Sequence, residues 1–239
     1  MDNGIAQAME FVAGLKDKIH AASEVEIDGR MYSRGTLSPI FEPSAPKIEL
    51  HTLTGFVDYC AANVDGLDLG SCMVHVVSPT EVALCTAAFG PFKQRQLAVY
   101  SSAILPKFSF GQFMPSEDFI IGLNAMFEEG GDRDALLSDV AAIKIDAGAG
   151  VKDDGTSQTV TVEAGARLVT ERKTKPRVTL HPFCTFQEIA QPARQFLFRL
   201  SKDGQPGLFV ADGEVWRLAA MDGIKEYLAE RLPGMHVIS

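Results

Sequence analysis

The stretch TLTGFVDYCAANVDGLDLGSCMVHVVSPTEVALCT (residues 52–86) decides the fold class. Its first part places Leu53, Phe56, Val57, Cys60 and Val64 at helical spacing, which predicts an amphipathic helix over Thr52 to Val64, ended by the DGLDLG segment. The period then changes. Met73 to Val77 is apolar apart from His75, Ser78-Pro79 turns the chain, and Val82 to Thr86 runs back. Val and Thr suit a pleated, half-buried surface. A helix followed by a block of strands, without strict strand–helix alternation, predicts an α+β fold of antiparallel β-sheets with peripheral helices.

Downstream the same order returns. Leu97 to Tyr100 and Ile104-Leu105 continue the β character. Ser116, followed by Glu117 and Asp118, is placed to cap a helix whose apolar face is Phe119, Ile120, Leu123, Met126 and Phe127. Gly130-Gly131 stops it, and Asp132 starts a second helix through Leu136, Leu137, Val140 and Ile143, so a helical hairpin is expected. From there the chain is β-rich. Val160, Val162 and Ala164 alternate with Thr159, Thr161 and Glu163, and the alternation is read on through Leu168 to Leu180. Phe196 to Leu200, Leu208 to Val210 and Val215 to Leu218 read as three short strands joined at Asp203-Gly204 and Asp212-Gly213. A last helix carries Ile224, Tyr227 and Leu228. The helix-then-strands succession around 52–105 and again around 116–200 makes a duplicated unit one alternative, although no residue-level repeat accompanies it.

Upstream, Ile5, Ala8, Met9, Val12, Leu15 and Ile19 put an apolar stripe on a helix over residues 2–21. EVEIDGRMYS then predicts a short hairpin, because Asp28-Gly29 supplies the positive φ angles of a type I′ turn. Pro39, Pro43 and Pro46 mark residues 34–47 as an extended connector. The expected organisation is residues 1–47 as helix, hairpin and connector, and residues 48–239 as the main domain.

Hydrophobic residues are 46% and charged residues 22% of 239, which fits a folded chain with a sizeable core and no need of disulfide or metal staples. The net charge of −9 weighs against sequence-independent DNA binding by the whole surface, while leaving room for a local basic stripe. Cys60, Cys72, Cys85 and Cys184 form no Cys-x-x-Cys pair and sit among apolar or small neighbours, the setting of reduced core thiols. The N-terminal residues have no signal-peptide pattern and no stretch is long enough to span a membrane, so a cytoplasmic protein is expected.

No phosphate loop, dinucleotide fingerprint, His-Glu-x-x-His pair or nucleophile elbow is present, so no cofactor, metal or catalytic residue is assigned. GAGVKDDG (148–155) is glycine-rich, but strand pattern follows it and Asp153 and Asp154 repel phosphate, so it reads as a hairpin tip. His20, His51, His75, His181 and His236 are dispersed. A Cys184/His181 nucleophile pair is weighed and set aside, because Phe183 and Phe186 make an apolar setting that does not favour a thiolate. The most polarised segment is RLVTERKTKPR. On one alternating strand Lys173, Lys175 and Arg177 share a face, and with Arg172 they form the candidate phosphate-binding site, set against a solvated or lysine-guarded sheet edge. Phe108 and Phe110 point to one side, as core or as a self-association surface.

The segments LHTLTGFVDYCAANVD, VHVVSPTEVAL, LPKFSFGQFMPSEDFIIGLNAMFEE, VAAIKIDAGAGVKDDGTSQTVTVEAG, VTLHPFCTFQEIAQPARQFLFRLS and LFVADGEVWRLAAMDGIKEYL, in this order over roughly residues 48–232, resemble the YfdQ-like family of phage and prophage proteins. The resemblance implies a phage gene product made in the bacterial cytoplasm, associated with early-region replication or recombination genes, and it brings no catalytic residues. The expected function is a non-enzymatic accessory protein, forming a homo-oligomer and binding a macromolecular partner, nucleic acid or nucleotide. A virion or assembly protein, an enzyme with an unannounced site, and a counter-defence protein that sequesters a signalling nucleotide are the alternatives.

Overall fold

A computed structural model of the chain describes residues 3–21, 24–33, 38–39, 45–142, 151–153, 158–164, 168–173 and 175–239. They fall into two units, Met1–Pro46 with Ala87–Gln96, and Lys47–Thr86 with Leu97–Ser239. The expected connector over 34–47 lies mostly outside the described residues, as does Ile143.

In the first unit α1 (Asn3–Ala21) is followed by β1 (Glu24–Ile27) and β2 (Arg30–Ser33), and β3 (Ser38–Pro39) pairs on β2. Asp28 and Gly29 take φ angles of 53° and 73°, and Ile27 lies opposite Arg30, which is the two-residue turn that Asp-Gly predicts. The excursion Ala87–Gln96, which the sequence reading left in the main domain, belongs here. Its Phe92 ring meets Tyr32 edge-on at 5.8 Å and lies under the Arg30 guanidinium at 5.5 Å.

The second unit is α+β. β4 (Ile48–Leu50) leads into α2 (Leu53–Ala62), and Thr52 caps α2 by accepting the Gly55 amide at 3.0 Å. Asn63 adopts the left-handed conformation and ends the helix, so Val64, expected on its apolar face, is exposed instead. The strands β5 (Met73–Ser78), β6 (Glu81–Cys85) and β7 (Leu97–Ser102) form the antiparallel meander read from the sequence. Val74 and Val76 stand opposite Leu84 and Val82, so one face of the sheet is continuously apolar. Leu53, Phe56 and Cys60 of α2 cover that face.

The helical hairpin follows as α3 (Ser116–Met126) and α4 (Arg133–Ala142). Ser116 is the first helical residue, and Pro115 takes the cap position without a side-chain bond, so the expected serine cap is absent. Ile104 and Leu105 are not a strand and lie in the loop between β7 and α3. β8 (Val151–Asp153), β9 (Gln158–Ala164) and β10 (Leu168–Lys173) make a three-stranded antiparallel sheet. In GAGVKDDG, Val151–Asp153 is thus strand, and the remaining residues lie outside the described ones. β11 (Arg177–Leu180), β12 (Arg194–Leu200) and β13 (Pro206–Val210) form another sheet, with Gly204 at φ 71° in the β12–β13 turn. Phe119 and Leu123 of α3, Phe127 just after it, and Leu136 and Val140 of α4 pack on Val178, Leu180, Phe196, Phe198 and Leu208 as a second core.

The third short strand expected at Val215–Leu218 is the start of a helix, α5 (Trp216–Arg231). Asp212 accepts the Glu214 amide at 3.0 Å and Glu214 takes φ 64°, so the turn launches a helix before a strand can form. Ile224 and Leu228 of α5 complete the core under the β5–β7 sheet. β14 (His236–Ile238) then joins β5, and β4 joins β7, both in parallel. The order β14-β5-β6-β7-β4 is therefore an antiparallel meander with one parallel strand added at each rim.

Candidate functional site

The single alternating strand read over 168–180 is two strands, β10 and β11, in two different sheets. Arg172 and Lys173 close β10, opposite Val160 and Thr159, and their side chains lie outside the described residues. Arg177 opens β11, exposed and opposite Leu197. Lys175 sits between the strands, its ammonium 2.8 Å from both carboxylate oxygens of Asp132. Asp132 also accepts the Thr179 amide at 2.8 Å, so this pair ties the start of α4 to β11. Burial pushes the Asp132 carboxyl up, but the bond from Lys175, the Thr179 amide and the lysine charge outweigh it and hold the group below the usual carboxylate range. A phosphate at Lys175 has to compete with that carboxylate.

The other polar cluster singled out in the sequence, His181 and Cys184, is organised by Gln191. The buried Gln191 amide accepts from the amides of Cys184 and Thr185 at 2.9 and 3.2 Å and donates to the carbonyls of Phe186 and Ile189 at 3.0 and 3.3 Å. His181 donates from Nδ1 to the Gln191 carbonyl at 3.0 Å, since a carbonyl only accepts. Burial pushes the Cys184 thiol up to about 11, so it stays protonated at neutral pH.

One cleft of about 460 Å³ opens beside this loop, within the second unit. Its walls are Thr80 after β5, Leu105 to Phe108 and Phe110 from the loop after β7, Met126 at the end of α3, Pro182 to Cys184, and Arg194 with Trp216. The loop is fixed by its aromatics, as the period-two spacing predicts. Phe108 meets Phe119 at 5.9 Å and Phe127 at 5.2 Å, and Phe110 stacks on Phe196 at 5.0 Å with 12° between the planes. Backbone bonds from Gly111 to Leu208 at 2.8 Å and from Met114 to Pro206 at 3.0 Å lash the loop to β13. Gly207 makes that approach possible, because a Cβ there would stand 2.7 Å from the Gln112 carbonyl oxygen.

Arg194 is the polar centre. Its side chain is 9% exposed and its Nε donates to Asp212 at 2.7 Å, the carboxylate itself being 8% exposed. The guanidinium carbon lies 4.7 Å from the Trp216 ring centre, 5.3 Å from Phe196 and 5.8 Å from Phe110, an aromatic cage around a buried cation. Burial pushes the Asp212 carboxyl up, yet the bond and charge of Arg194 and the Glu214 amide prevail and hold it below the usual range. Only Nε of the guanidinium is bonded: among the described residues its two terminal nitrogens have no hydrogen-bond partner. The buried indole N–H of Trp216 has none either. A buried donor without an acceptor, here the Trp216 indole N–H, is costly, and a ligand that supplies an acceptor relieves the cost.

The sequence reading missed Arg194, Asp212 and Trp216. The signal was present: Arg194 shares the inward phase of β12 with Phe196, Phe198 and Leu200, where an apolar residue is expected. Among the described residues no group of His, Cys, Asp and Glu is placed to hold a metal ion, and no helix is long and apolar enough to cross a membrane. Comparisons with protein-family models, with curated proteins and with solved structures found no match.

Proposed function

We propose that this chain is a phage accessory protein of the bacterial cytoplasm that holds a ligand without transforming it, and that the cleft at Arg194 and Trp216 receives a small planar ligand of nucleotide type. The observation that carries the reading is the buried guanidinium, anchored on Asp212 through Nε alone, with its terminal nitrogens unpartnered among the described residues and aromatic rings around it. The volume is that of a small-molecule site, and a few directed polar groups in an apolar lining are what such sites use. Trp216 is the only tryptophan, so its fluorescence reports on the cleft alone. Titration with nucleotides is expected to change that emission saturably, with a matching mass adduct under native mass spectrometry. An unmoved emission up to millimolar nucleotide, with no adduct, refutes the reading.

A second feature supports a homo-oligomer. Ile5, Met9, Phe11, Val12 and Leu15 of α1 are 42–70% exposed. Ile5, Val12 and Ile19 recur at every seventh residue with Ala8 and Leu15 between them, the β-branched and unbranched alternation of a parallel two-stranded coiled coil. The partner is therefore α1 of a second copy.

A further inference from the structure

We infer that the base the cleft selects is guanine, presented as a nucleoside monophosphate; the inference rests on the reading of this cleft as a nucleotide site. The side-chain nitrogen and oxygen groups of the lining residues that lack partners among the described residues are donors: the two terminal nitrogens of Arg194, the indole N–H of Trp216 and the Lys107 ammonium. Thr80, the hydroxyl in the lining, already shares a 3.3 Å bond with Ser78. Such a site selects a ligand edge made of acceptors. Guanine offers O6 and N7 side by side, the pair a guanidinium fork grips in bidentate fashion, whereas adenine sets a donor beside N7 and cytosine presents a donor. Bound adenine points an N–H at an N–H and loses the second bond of the bidentate pair.

The charge balance separates a base from an aromatic acid. Asp212 stands 2.7 Å from Arg194 and neutralises it, so the guanidinium contributes geometry and little net charge. A ligand carboxylate there would meet the field of the Asp212 carboxylate, while the neutral O6/N7 edge does not. Phe108 and Trp216 line the same cleft and supply apolar surface against which a flat ring can pack. Lys107, exposed in the lining and with no ion-pair partner among the described residues, is the cation for the phosphate.

The test is a Trp216 fluorescence titration of the full chain with GMP, AMP, CMP, UMP, 7-deaza-GMP, guanosine and benzoate. GMP is expected to bind on the order of tenfold or more tightly than AMP, from the loss of the bidentate pair. 7-Deaza-GMP, which lacks the N7 acceptor, is expected to bind more weakly than GMP. Lys107→Ala is expected to weaken GMP towards guanosine and leave guanosine unchanged. These comparisons leave the buried pair untouched, so they do not depend on an Arg194 variant folding. AMP, CMP or UMP binding as tightly as GMP, or 7-deaza-GMP matching GMP, overturns the guanine inference while leaving a nucleotide site standing. Saturable binding of benzoate alone overturns the guanine inference and the nucleotide class together. No response to any ligand overturns both the inference and the reading beneath it.

Discussion

Arg194 and Asp212 face each other almost out of reach of water, and this sets what their replacement does. Removing one partner strands the other charge, which costs about 3–5 kcal/mol. Asp212→Asn is therefore expected to lower the urea midpoint strongly at pH 7. Arg194→Met with Asp212→Leu is expected to restore much of the stability and abolish ligand-induced changes in Trp216 emission. The pH dependence has a definite sign. The folded Asp212 carboxyl lies below its ordinary 3.8, so its contribution is complete above that value and is lost as pH falls through the folded one. Thermal melts of wild type and Asp212→Asn are expected to differ most near neutrality and to converge only as pH falls well below 3.8, through the folded Asp212 value. Cys184 gives a second test: a buried thiol titrating near 11 is expected to resist iodoacetamide at pH 7.5 until the protein is unfolded, as read by mass spectrometry. Changing Arg172, Lys173, Lys175 and Arg177 to Glu tests phosphate contact by that segment. Loss of salt-dependent nucleic-acid binding supports such contact, and unchanged binding removes it. Single residues were the hardest part to read in advance, because Lys175 is conspicuous in a basic run and yet committed to Asp132, while Arg194 hides in an apolar strand.

Elements were more legible where local chemistry acts alone. The Asp28-Gly29 hairpin, the α2 helix and the β5–β6 turn follow from turn residues and periodicity over a few positions. Val215 to Leu218 was misread because Val and Trp favour strands, a preference that the Asp212 turn and the packing of Ile224 and Leu228 override. The split of 168–180 was hidden because both halves keep the same alternation across Thr174-Lys175-Pro176. At this scale Gly207→Ala is expected to destabilise by about 1–3 kcal/mol, as overpacking does, because the new methyl collides with the loop carrying Phe108 and Phe110. Val12→Glu places a charge in the α1 seam, and light scattering is expected to show a smaller species than wild type with the same melting temperature for the second unit. A wild-type chain that is already a monomer rejects the coiled-coil pairing.

For the whole molecule, among the described residues neither core includes one from the first 46. A chain starting at Lys47 is accordingly expected to melt cooperatively and keep the ligand response of Trp216. The α+β class was readable from the blocks of helix and strand, but the parallel rims of the mixed sheet were not, since Ile48–Leu50 and His236–Ile238 are too short to announce a partner. Those rims impose an order on assembly. The β5–β6–β7 meander closes through neighbours in the chain, whereas β14 reaches Met73 only from position 236. Long-range closure is slow. Until it happens the outer backbone of β5 is an open template for any passing strand. During synthesis at high expression this interval is when aggregation competes with folding, so slower translation or a strand-capping chaperone should raise the soluble yield more than any change within the finished core.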